Sequence, residues 1–80
     1  MPTIRGVSGP YRLYFYSFDC NEPMHIHAER DRMKCKFWMG PIMLASNDGF
    51  SPRELNRVRG VIQAYTDSIR RAWDEHCPEG

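Results

Sequence analysis

The stretch Met24-His25-Ile26-His27-Ala28-Glu29, then Arg30-Asp31-Arg32, then Met33-Lys34-Cys35-Lys36-Phe37-Trp38-Met39 decides the fold. Both outer runs alternate with period two, the pattern of strands that bury one face. In the first, Met24, Ile26 and Ala28 point one way and His25, His27 and Glu29 the other. In the second, Met33, Cys35, Phe37 and Met39 form the apolar side, with Lys34, Lys36 and Trp38 opposite. The charged turn between them is short, which predicts an antiparallel hairpin.

A hairpin with one apolar face needs more sheet beside it and a layer over it. Upstream, Tyr11 to Phe18 is dense in tyrosine and phenylalanine and reads as a strand whose core side is Tyr11, Leu13, Phe15 and Ser17. Thr3 to Val7 is a weaker opening strand, ended by Ser8-Gly9-Pro10. Downstream, Gly40-Pro41 punctuates the chain, Ile42 to Ala45 reads as a short buried strand, and Ser46 to Gly49 as a loop.

The covering layer is a helix. Ser51 suits the N-cap, Pro52 the first helical position, and Glu54 the return half of a capping box, with Phe50 and Leu55 as a hydrophobic staple. Leu55, Val58, Ile62, Tyr65, Ile69 and Trp73 then recur at steps of three or four and make one apolar stripe. The run ends at Pro78 and Gly80, after roughly 25 residues or ~37 Å of helix, with Gly60 as the weak point. The expected architecture is one α+β domain over residues 1–80: a mostly antiparallel sheet of four to five strands, covered on one face by a long C-terminal helix.

Composition narrows the function classes. A hydrophobic content of 41% with 26% charged residues argues against disorder, and a net charge of +1 leaves no global field toward nucleic acid or membrane. No apolar run approaches the ~20 residues needed to span a bilayer. Cys20, Cys35 and Cys77 are scattered without short spacing, so reduced thiols and a cytoplasmic setting are expected. A chain this short buries a modest core and gains stability from a partner or a second copy.

Several pieces together carry a resemblance. They are Met1-Pro2-Thr3-Ile4, Asn21-Glu22-Pro23 leading to His25-x-His27, Lys36-Phe37-Trp38, Asn47-x-Gly49-Phe50-Ser51 and Ala72-Trp73. Over nearly the whole chain they resemble the small bacterial domain-of-unknown-function family 4160. Two departures stand out: Met24 replaces the second proline of that family's Pro-Pro-His pattern, and Arg30-Asp31-Arg32 replaces a glycine-containing turn. The resemblance implies a prokaryotic cytosol and a protein partner. Members are commonly encoded beside a second small protein, often of domain-of-unknown-function family 2442, in pairs proposed to be toxin–antitoxin-like.

The candidate site is the polar side of the hairpin. His25 and His27 share a strand face at ~6.5–7 Å, close enough for both imidazoles to meet one metal ion. Glu29 lies ~13 Å from His25 along the strand, and a third ligand from Asp19, Cys20 or another chain has no support in the spacing. A metal at His25 and His27 is therefore a candidate and not the favoured reading, and no cofactor is expected.

The same face gathers Tyr14, Tyr16, His25, His27, Lys34, Lys36 and Trp38, extended by Arg30 and Arg32 at the hairpin tip. An aromatic face of this size marks a protein interface or homo-oligomer contact first. Rings interleaved with cations also suit single-stranded RNA or DNA. His25 or His27 as a general base in a ribonuclease-like toxin is a third use, without a second catalytic group in the sequence. The balance favours a protein-interaction or regulatory module over an enzyme.

Overall fold

The alternation of residues 24–39 builds the centre of the sheet. The computed structural model describes residues 2–7 and 9–77. Its strands are β1 (Arg12–Tyr14), β2 (His25–Arg30), β3 (Met33–Met39) and β4 (Ile42–Asp48), all antiparallel neighbours in the order β1-β2-β3-β4. The β2–β3 register sets His25 opposite Trp38, His27 opposite Lys36 and Glu29 opposite Lys34. The hairpin turns at Asp31, which takes a positive φ of 57°, a conformation that aspartate tolerates better than most residues.

Helices α1 (Pro52–Ala64) and α2 (Thr66–His76) follow, giving an α+β fold. At the start of α1, Ser51 Oγ accepts from the Glu54 amide at 3.2 Å, the cap that the sequence announces. Glu54 does not complete the expected box. Its carboxylate is taken by Arg30 at 2.6 and 2.7 Å and by the Tyr11 hydroxyl at 2.8 Å, which ties β2 and the segment before β1 to the helix layer.

The core lies between this layer and the apolar side of the sheet. Leu13, Phe15, Ile26, Ala28, Cys35, Phe37 and Met39 meet Phe50, Val58, Ile62, Ile69 and Trp73, all buried. The long helical stripe is present, but its two segments meet at Tyr65 (φ −110°, ψ 20°) rather than bending at Gly60. There Thr66 Oγ1 donates to the carbonyl groups of Ile62 and Gln63, a side-chain bond that competes with the helical ladder. The expected stop at Pro78 and Gly80, like Ser8 in the first breaker, lies outside the described residues.

Three further expectations need correction. Thr3 to Val7 contributes a single bridge, Thr3 with Tyr14, and no strand. The aromatic run pairs with β2 only as far as Tyr14, because residues Ser17–Asn21 turn into a 3₁₀ helix. Ile42 to Ala45 is no buried strand: β4 runs on to Asp48 as the exposed edge of the sheet.

The thiols also differ from expectation. Cys20, in the 3₁₀ helix, forms a disulfide with Cys77, 57 residues away, while Cys35 is free and buried. Spacing could not announce this bond, since it depends on the 3₁₀ turn and the end of α2 arriving at one place.

Candidate functional site

The 3₁₀ helix is what turns the histidine strand into a site. Tyr16 leaves the sheet in an extended conformation (φ −93°, ψ 151°), and its amide donates to Asp19 Oδ2 at 2.8 Å. The Asp19 amide returns a bond to the Tyr16 carbonyl at 3.0 Å. This local turn carries the Asp19 side chain back over the start of β2, where it is buried.

Asp19 Oδ2 then lies 2.9 Å from His25 Nε2 and 3.5 Å from His27 Nε2. His25 Nδ1 sits 2.9 Å from the Pro23 carbonyl, so it is the protonated nitrogen that donates there. The ring of His25 is 0% exposed. His25 Nε2 and His27 Nε2 are buried and make no aligned hydrogen bond among the described residues, so Asp19 meets them at ion-pair distance alone.

Rings clamp both imidazoles. Tyr14 stacks on His27 at 5.3 Å and 17°, and Tyr16 meets it edge-on at 5.1 Å. Trp38 and Trp73 meet His25 edge-on at 5.6 and 5.3 Å. Tyr16 in turn stacks on Phe18, which is largely exposed.

The electrostatics follow from this packing. Burial would raise the Asp19 carboxyl, but the Tyr16 amide and the two histidines outweigh it and hold the group below its ordinary range. Burial, helped by neighbouring His25, lowers His27 from its ordinary value. Burial and the adjacent Tyr16 hydroxyl push the Tyr14 phenol up.

The sequence-predicted face is thus brought together only in part. Tyr14 and His25 are buried, while Tyr16, His27, Lys36 and Trp38 are half-buried. Lys36 pairs with Glu22 at 2.8 Å and lies over the Trp38 ring at 4.4 Å. Lys34 and Arg32 are exposed, and Arg30 is drawn to Glu54 on α1 instead of extending the patch. In the sequence Asp19 stands only as one of several candidate third ligands. Its signal was local: an aspartate three residues after Tyr16, in a position to accept from that residue's amide.

A second feature lies along β4. Only Ile42 is half-buried; the other six residues are exposed, including Met43 at 53% and Leu44 at 40%. Beside it, Pro23, Met24, Trp38, Gly40, Pro41 and Met43 line an apolar cleft of about 350 Å³. No described helix is long and apolar enough to cross a membrane.

No curated protein and no solved structure matches the chain. A family model does match, over residues 11–74, which takes in β1 to β4, the 3₁₀ turn, the histidine strand and nearly all of both helices. The chain belongs to the family described as Domain of unknown function (DUF4160).

Proposed function

We propose that this chain is a protein-interaction module, one half of a toxin–antitoxin-like pair, whose β4 edge accepts a strand from the partner protein. The observation that carries the reading is the exposure of that edge. It is interrupted by a register shift at Ala45 and held at the Ile42 carbonyl by Arg59 but covered nowhere else among the described residues. A seven-residue edge strand presents a row of backbone groups to pairing, and natural sheets protect such rows with lysine, proline or a covering segment. The sequence Ile42-Met43-Leu44-Ala45-Ser46-Asn47-Asp48 has no lysine or proline. Its exposed Met43 and the adjoining Trp38–Met24 cleft supply apolar side-chain pockets beside the hydrogen-bonding edge, the combination that strand addition uses.

The neighbouring gene product is the occupant suggested by the family resemblance. The prokaryotic cytoplasm is its setting on that same resemblance, and there cellular thiols would act on the Cys20–Cys77 bond. Nucleic acid is less well supported, because Lys36 and Arg30 spend their charge on Glu22 and Glu54.

Light scattering on the chain alone and on the co-expressed pair tests the reading. A 1:1 complex that Leu44→Lys abolishes, with the far-ultraviolet circular dichroism unchanged, is expected. A chain that ignores the neighbouring product, or that dimerises alone through β4, overturns the two-protein reading.

A further inference from the structure

We propose that Asp19, His25 and His27 form a binding site for one divalent first-row transition metal ion, with Asp19 Oδ2 and the two Nε2 atoms as ligands. This stands apart from the β4 interface and does not depend on it. One ligand atom from each of the three residues lies within 4.8 Å of the others, and this is the one such group among the described residues. Two ligands bonded to one ion at ~2.0–2.1 Å stand roughly 2.9–3.4 Å apart at octahedral to tetrahedral angles. The carboxylate-to-nitrogen distances of 2.9 and 3.5 Å agree with that spacing.

The directions of the groups say more than the distances. With Nδ1 donating to Pro23, His25 sets its Nε2 beside a carboxylate oxygen 2.9 Å away. Both Nε2 atoms are buried and neither makes an aligned hydrogen bond. Donor atoms clustered this closely, two of them buried nitrogens without an aligned hydrogen bond, are placed to share one ion. A cation there satisfies both nitrogens and the carboxylate at once.

The surroundings match what a metal site needs. A carbonyl group on the far nitrogen of a ligating histidine fixes its tautomer, as Pro23 does for His25, and the Tyr16 amide fixes the carboxylate. Tyr14, Tyr16, Trp38 and Trp73 hold the rings in a dry setting. Entry is from the side of His27, whose side chain is 19% exposed and which lines a cleft of about 200 Å³ with Tyr14, Tyr16, Lys34 and Ser46. Two imidazoles and one carboxylate suit zinc or iron(II) better than magnesium or calcium, which prefer oxygen. Three protein ligands leave a coordination position for water or a partner's group.

The test uses full-length, untagged protein, stripped of metal, titrated with zinc chloride by calorimetry and with cobalt(II) by visible absorption. One equivalent per chain is expected, with cobalt bands in the visible. Asp19→Asn and His27→Gln should each weaken binding at least tenfold while their circular dichroism stays native. His27→Gln is the safer variant for folding, since His25 is fully enclosed, and a His27→Cys variant should shift the cobalt spectrum toward sulfur-to-metal charge transfer. Absence of saturable binding, or binding unchanged in Asp19→Asn and His27→Gln, overturns the proposal and leaves a buried aspartate–histidine contact that only anchors the 3₁₀ turn.

Discussion

Glu54 shows how much one side chain can join. Its amide donates to the Ser51 cap in the first turn of α1, and its carboxylate grips Arg30 of β2 with both oxygens and accepts from Tyr11. The Arg30 hydrogen bonds outweigh burial and hold its carboxyl below the ordinary range. A carboxylate depressed in the folded state adds stability at pH values above its unfolded pKa, and that stability is lost as pH falls through the folded pKa. Thermal melts from neutral pH down to the acid range should therefore show a fall that Glu54→Gln flattens, starting from a lower stability at pH 7. Cys35 makes a second residue-scale prediction. Burial pushes its thiol up to about 11, so a disulfide-exchange reagent should label it only after denaturant unfolds the chain.

At the scale of elements, the strands β2 and β3 and the start of α1 were legible because each rests on local rules. Alternation placed Ile26, Ala28, Cys35 and Phe37 in the core, and all four are buried. Ser51 and Pro52 located the helix start. What the sequence hid depends on contacts far along the chain. The strand-like run Tyr11–Phe18 pairs for only three residues, because Asp19 captures the Tyr16 amide and starts a 3₁₀ turn. Ile42–Ala45 looked buried by its apolar content, but nothing in that content says which strand ends up at the edge. The third ligand of the candidate site was hidden for the same reason as the first of these: it arrives by a turn that composition reads as strand and loop.

Gly60 gives this scale its own prediction. It lies exposed within α1, and a Cβ built there meets nothing within 4 Å. Gly60→Ala should stabilise the protein by about 0.5–1 kcal/mol, read as a rise in the denaturation midpoint without a change of slope. Gly49 is the contrasting case. With φ at 105° and a Cβ 2.9 Å from Met33 Cγ, it should not accept alanine without loss.

On the scale of the whole molecule, the helix layer and the 3₁₀ turn divide the sheet into differently used regions. One face is closed by α1 and α2, the start of β2 is enclosed by Asp19 and four aromatic rings, and β4 stays open. The Cys20–Cys77 bond fastens the 3₁₀ turn to the end of α2, closing a loop of 57 residues. A loop of that length corresponds to roughly 4 kcal/mol in the chain-entropy picture. Cys77→Ser should lower stability by up to that amount in a urea titration. It should also loosen Asp19, the residue next to Cys20.

The exposed β4 edge, held within the chain by Arg59 at Ile42 and by Asn47 at Phe50, is the surface proposed for the partner. The most direct measurement is amide hydrogen exchange, resolved by residue, on the chain alone and in complex with the proposed partner. Slowed exchange concentrated at residues 42–48 in the complex, and absent in Leu44→Lys, is the predicted result. A complex that leaves the β4 amides exchanging as they do in the free chain would contradict the account.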